Sequence, residues 1–280
     1  MRGKGTKIVL LGTGTPNAEP DRSGPSTALI VNGKTYIIDF GPGIVRRASE
    51  AYRSGIEALK PSDLETAFVT HLHSDHTAGY PDLILTPWVL GRKNALRVFG
   101  PPGIRSMTDH ILKAYREDID IRINDLEGAN DDGWRADVNE IGEGGIYQDE
   151  NIRAVAFLVN HGGWSSAFGY RFETEDGTVV ISGDTAPFPE MDMHYRGCDV
   201  LIHEVYSGKG FDKRPEKWKK YHAAYHTSAM ELGEIASRVR PKLLVLYHQL
   251  LWGTTPDELV DEIRSAYDGK VAYGRDLDSF

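Results

Sequence analysis

Thr70-His71-Leu72-His73-Ser74-Asp75-His76 is the stretch on which the reading of this 280-residue chain turns. It follows Thr66 to Thr70, a β-branched and aliphatic run that reads as a strand. In extended chain His71 and His73 point to one side. A turn into a helix then aims Asp75 and His76 at a second, neighbouring position. Four imidazole and carboxylate donors within six residues thus suit two adjacent metal ions. Zinc takes such nitrogen and oxygen ligands at about 2.0 to 2.2 Å, and a catalytic site keeps one position for water. The chain has one cysteine, Cys198, which excludes an intrachain disulfide and a cysteine-based zinc cluster. Any metal must be held by histidine and carboxylate.

Outward from this motif, strand-like runs bounded by glycine, proline and asparagine recur: Lys7 to Leu11, Thr27 to Val31 and Thr35 to Phe40, the last two joined as a hairpin by Asn32-Gly33. Others are Leu96 to Phe99, Ile152 to Val159, Phe168 to Glu173, Val179 to Ser182, Val200 to His203 and Leu243 to Tyr247. Helical patterns lie at 44–54, 103–116, 229–239 and 256–267. Ser228 with Glu231 and Thr255 with Glu258 fit the capping box, and Pro256 suits a first helical position. With no internal repeat and no dividing linker, two sheets with helices outside, a layered α/β arrangement in one domain, is the expected architecture.

Hydrophobic residues at 40% and charged residues at 26% fit a globular chain, and no run approaches the roughly 20 apolar residues that span a bilayer. The N-terminus, Met1 to Thr6, lacks the apolar core of a signal peptide, so a cytoplasmic location is expected. The net charge of −9 is local: Glu117 to Glu150 holds twelve acidic and two basic residues and reads as a solvated loop. Such a balance signals no general nucleic-acid surface. Lys209, Lys213, Arg214, Lys217, Lys219 and Lys220 form a basic cluster that could steer an anion, although a solvated loop is its plainer reading. Trp88, Trp164 and Trp252 are candidates for a pocket wall or for core, His110, His194 and His222 read as surface residues, and His203 reads as structural.

His-X-His-X-Asp-His after a strand resembles the signature of the metallo-β-lactamase superfamily. The likeness extends to Leu10-Leu11-Gly12-Thr13-Gly14-Thr15-Pro16 and Ile38-Asp39-Phe40-Gly41 upstream, and to three strand-end candidates downstream: His161, Asp184 and His248. It implies a four-layered αββα sandwich over residues 1–280 and two divalent metal ions, zinc first, with manganese or iron as alternatives. By the same likeness His71, His73 and His161 hold one ion, Asp75, His76 and His248 the other, and Asp184 bridges them, Asp75 also counting as catalytic. Asp39 is expected to orient a ligand histidine. Val200-Leu201-Ile202-His203-Glu204 and Tyr225-His226-Thr227-Ser228-Ala229 resemble the ribonuclease Z branch, which implies that Glu204 orients His226 as the general acid. Tyr80-Pro81-Asp82-Leu83, Val98-Phe99-Gly100-Pro101-Pro102-Gly103-Ile104 and Ser166-Ala167-Phe168-Gly169-Tyr170-Arg171 point to the same branch.

One departure is plain. Bacterial enzymes of that branch insert a transfer-RNA-gripping arm between the residues matching His161 and Asp184, and here only twenty-two residues intervene. Transfer RNA is therefore disfavoured. A small-molecule hydrolase acting on a phosphodiester, sulfate ester or lactone is the preferred expectation, an RNA 3′-end endonuclease the runner-up, and a non-catalytic metal-binding or carrier protein the reading from another class. A small anionic or ester substrate is the expected partner, with no membrane and with homodimerisation left open.

Overall fold

The computed structural model describes residues 5–280, so the reading of the N-terminus as leader-free falls largely on residues 1–4, which lie outside the described residues. The chain forms two compact units, one made of residues up to Gly12, Pro16–Ile141 and Asp276–Phe280, the other of Thr13–Thr15 and Gly142–Arg275.

The first unit holds β1 (Thr6–Gly12), β2 (Ser26–Val31), β3 (Lys34–Ile38), β4 (Thr66–Phe68), β5 (Leu96–Gly100) and β6 (Ala136–Glu140), in that order across one sheet. β1 to β3 pair antiparallel and β3 to β6 parallel. The C-terminal residues extend the sheet: Ser279 bridges Val9, and Ile8 and Phe280 exchange backbone hydrogen bonds. Its helices are α1 (Ile44–Arg53), α2 (Ser74–Thr77), α3 (Tyr80–Val89), α4 (Ile104–Ala114) and α5 (Arg116–Asn124). β2 is buried on both faces, so it reads as a continuous apolar run rather than an alternating one. α1 buries the stripe Ile44, Val45, Ala48 and Ala51 against the unit's core.

The second unit repeats the progression from antiparallel to parallel. β7 (Gly144–Gln148), β8 (Arg153–Leu158), β9 (Phe168–Thr174) and β10 (Gly177–Ile181) form a meander, followed by parallel β11 (Val200–Tyr206), β12 (Leu243–Leu250) and β13 (Val271–Tyr273). Helices α6 (Met191–Tyr195), α7 (Gly208–Asp212), α8 (Glu216–Tyr225), α9 (Ala229–Val239) and α10 (Pro256–Arg264) complete it around a core of its own. Both expected capping boxes form, at Ser228 with Glu231 and at Thr255 with Glu258.

Four expectations need correction. The acidic run 117–150 is not a loop: it carries α5 and the strands β6 and β7 that edge the two sheets, and β6 exposes Asp137 and Glu140, charges of the kind that discourage edge pairing. The basic run 209–220 likewise is mostly helical: Lys209 lies in α7 and Lys217, Lys219 and Lys220 in α8, with Lys213 and Arg214 in the turn between them. The expected strand to Phe40 stops at Ile38, because Asp39 takes the left-handed conformation (φ 61°). His222 is buried, not a surface residue, and His194 is half-buried against Phe157. Trp88 is core, its indole N–H donating to the Asn130 carbonyl. Among the described residues no helix is long and apolar enough to cross a membrane.

Candidate metal centre

Each unit gathers ionisable side chains beyond the C-terminal ends of its strands, where parallel α/β sheets collect ligands. In the first unit the chain leaves β4, places His71 in extended conformation and turns into α2, whose first residues carry Asp75 and His76. His71, Asp75 and His76 are buried and His73 is half-buried. The His71 Nε2 and His73 Nδ1 converge to 2.9 Å, and the rings of His71 and His76 lie 4.2 Å apart. Asp75 Oδ2 sits 3.7 Å from His76 Nε2. Such a concentration of imidazole and carboxylate away from water is costly unless something compensates it.

Asp39 holds this cluster from behind. Its Oδ1 accepts the Thr70 backbone N–H at 2.8 Å, and its Oδ2 lies 2.9 Å from His76 Nδ1. The carboxylate accepts the Nδ1 proton, which leaves the Nε2 lone pair facing Asp75, the tautomer a metal ligand needs. The left-handed backbone at Asp39 is what turns its side chain towards both partners. The Thr70 hydroxyl, 3.0 Å from His71 Nδ1, ties the second histidine to the same carboxylate.

In the second unit His161 lies just beyond β8, Asp184 just beyond β10, Glu204 within β11 and His248 within β12. The β11–β12 register skips a residue: Glu204 pairs with Tyr247 and Val205 with Gln249. His248 is therefore the extra residue of a β-bulge, in left-handed conformation (φ 46°), and the bulge re-aims its imidazole. Sequence alone places the end of this strand at Tyr247; the strand continues to Leu250, and the residue that breaks its pairing is the ligand candidate His248. His248 Nε2 lies 3.5 Å from Asp184 Oδ2, and Asp184, His226 and His248 each offer a donor atom within 4.8 Å of the others. His161 donates through Nδ1 to the Tyr225 carbonyl at 2.9 Å, which again leaves Nε2 as the available nitrogen. Tyr225 packs so closely on Gly162 (φ 56°) that any side chain there would collide with its ring.

Beside these ligand candidates, Glu204 is wholly buried, with Oε2 3.3 Å from Nδ1 of the buried His226. Its Oε1 accepts the backbone N–H of Thr227 at 2.8 Å. Burial, reinforced by the charge of Asp184, pushes the Glu204 carboxyl well above the ordinary carboxylate range. His203 points elsewhere: its ring bonds to the Glu204 carbonyl and to the Tyr195 hydroxyl, and burial lowers its pKa to about 4. That is the structural role expected of it. Positioning groups such as Tyr225 and Thr70 carry no sequence signal of their own, since their work is done by a carbonyl and by a short hydroxyl.

A family model described as a β-lactamase superfamily domain matches residues 34–249. The chain belongs to this superfamily. Within it, a ribonuclease Z from Mycobacterium marinum is 30% identical over 276 residues, covering 97% of this chain and 96% of its own. Two solved structures show the metallo-β-lactamase fold across 98% of this chain and 98% of theirs: the fold protein YhfI from Bacillus subtilis (TM-score 0.75, 14% identity) and the short form of human tRNase Z (TM-score 0.72, 21% identity). The expected fold and the ribonuclease Z-like branch are thus found, and the chain is a metal-dependent hydrolase of this superfamily. The fold implies divalent metal ions, and the imidazole and carboxylate groups of both units are of the kind that holds them.

Proposed function

We propose that this chain is a binuclear-metal phosphodiesterase that cuts RNA in the manner of the ribonuclease Z relatives, rather than the small-molecule esterase favoured by its sequence. The buried Glu204–His226 pair beside Asp184 and His248 carries the hydrolytic reading, because holding a metal needs no proton donor and a carrier protein would gain nothing from it. The substrate class rests on the relative from M. marinum, whose 276-residue alignment covers nearly all of both chains and leaves no room for a long inserted arm. The missing arm therefore weighs less against RNA than the sequence alone implied.

His71, His73 and His161 are assigned to one ion, Asp75, His76 and His248 to the other, and Asp184 to both. The mixed nitrogen and oxygen donors suit zinc, with manganese or iron as alternatives. When bound, a pair of such ions activates water near neutral pH and neutralises charge on the attacked phosphate. Asp39 fixes the His76 tautomer and the Tyr225 carbonyl fixes that of His161. Glu204, anchored by the Thr227 N–H, orients His226 through Nδ1 and leaves Nε2 to deliver a proton to the departing oxygen.

A second reading, hydrolysis of a small ester, is favoured by the interval between His161 and Asp184, most of which the β9–β10 hairpin occupies. The discriminating experiment measures metal content and hydrolysis of bis(p-nitrophenyl) phosphate, an RNA with a single-stranded 3′ tail, and a panel of sulfate esters and lactones. The wild type is compared with His73→Ala and Asp184→Ala. Near two metals per chain with RNA cleavage lost in both variants is the expected result. Turnover of a sulfate ester or lactone with RNA untouched would select the second reading, and failure to load metal would end both.

A further inference from the structure

Helix α8 presents an aromatic stripe at helical spacing: Trp218, Tyr221 and Tyr225, with His222 beside them. Trp218 and Tyr221 meet edge to face at 5.8 Å, and Tyr221 stacks on Tyr225 at 4.3 Å. The stripe runs from an exposed end, where Trp218 keeps 42% of its surface open, to Tyr225, whose carbonyl holds His161 and which directly precedes His226. Positive charge flanks the exposed end. The Arg214 guanidinium lies 5.7 Å from the Trp218 ring and 5.3 Å from that of Trp252, and Lys217 Nζ lies 5.8 Å from Trp218. Among the described residues no carboxylate pairs with Arg214, Lys217 or Lys220, although the chain as a whole carries −9.

Two further observations set this patch apart from an ordinary solvated helix. Trp252 is held in left-handed conformation (φ 48°), a costly backbone state for a bulky residue, and it packs at 4.4 Å on His222 while backing Arg214. His222, only 8% exposed, has no hydrogen-bond partner for either ring nitrogen among the described residues. An exposed indole backed by further rings and flanked by unpaired cations, as at Trp218, is what an unstacked base and its phosphates require.

We infer that α8 and the turn carrying Trp252 form a landing surface for single-stranded RNA, with an unpaired base stacked on Trp218 and the adjoining phosphates set against Arg214 and Lys217. It rests on the RNA-cutting reading above and gives the second unit a grip on substrate that needs no inserted arm. A duplex, whose bases are already stacked, gains only the charge component.

The test measures fluorescence anisotropy of a short labelled oligoadenylate on the metal-loaded protein, on ice, alongside cleavage of an RNA with a single-stranded 3′ tail. Trp218→Ala should weaken binding by roughly 5- to 150-fold, the range for losing one stacked base, and Trp218→Phe should recover most of it. Lys217→Ala combined with Lys220→Ala should flatten the salt dependence, and a duplex of equal length should compete poorly. In cleavage, Trp218→Ala should raise KM and leave kcat nearly unchanged. Equal affinity for wild type and Trp218→Ala, or equal competition by the duplex, overturns the landing surface. Trp218-dependent binding without cleavage supports the surface and refutes the RNA-cutting reading, whereas cleavage with unchanged KM in Trp218→Ala does the reverse.

Discussion

Replacing Asp39 by asparagine tests the tautomer argument with almost no change in shape. Oδ1 must remain on the Thr70 N–H, so the amide nitrogen takes the place of Oδ2 opposite His76 Nδ1. A donor then faces a donor unless His76 moves its proton to Nε2, which removes the lone pair a metal would use. Loss of such a hydrogen-bonding partner behind a ligand histidine typically costs 10- to 100-fold in metal affinity, about 1.4 to 2.7 kcal/mol. Asparagine tolerates the left-handed backbone at this position, so the metal-free fold should lose no more than about 1 kcal/mol. Asp39→Ala should behave differently: it removes the acceptor of three buried donors, the Thr70 N–H, the Thr70 hydroxyl and His76 Nδ1, and forces alanine into that backbone, at a cost of about 3 kcal/mol or more. The assay is zinc titration against a chromophoric competitor, paired with urea unfolding of the metal-free proteins. Wild-type zinc affinity in Asp39→Asn would refute the reasoning, and so would a large loss of metal-free stability, which would make Asp39 a structural residue only.

His226→Ala should lower turnover by about 10²- to 10⁴-fold, the usual worth of a general acid, with metal content unchanged; loss of metal would reassign His226 to the ligand set. The pH dependence of stability should expose His203. Its pKa falls from 6.5 to about 4 on burial, so between those values the unfolded chain binds a proton that the folded chain does not. Its contribution is complete above pH 6.5 and is lost as pH falls towards 4, amounting to about 3 kcal/mol. Urea unfolding at equal metal load should show wild type losing that much more than His203→Gln over the window. Glu204, whose raised pKa acts in the opposite sense, is present in both proteins, and parallel profiles would contradict the assignment.

How much of this was legible in the sequence depends on whether a residue acts through its side chain or through the backbone. The Thr70–His76 motif, the strands leading to it and both capping boxes were readable because ligand type, periodicity and cap chemistry are side-chain properties. β6 and β7 were not: β6 exposes most of its residues and carries the charge of a loop, β7 opens on two glycines and buries none of its residues fully, and the strand character of each comes from the neighbour it pairs with. α8 was missed for a related reason, since its lysines suggest solvent while the stripe from Trp218 to Tyr225 is apparent only once the helical spacing is assumed. Within the site, His248 could be picked out as a strand-end histidine, but its bulge could not, because a skipped residue belongs to the pairing of two strands. The same holds for Asp39, whose left-handed backbone lets one carboxylate serve both Thr70 and His76. Both residues ordinarily avoid positive φ, and both hold it beside candidate ligands, where the strain sets the direction of a donor atom. Relaxing either backbone should therefore disturb metal binding before it disturbs the fold. A glycine at position 248 would keep the bulge and lose the imidazole, whereas deleting that residue would leave Gln249 opposite Val205 and restore regular β11–β12 pairing without the bulge.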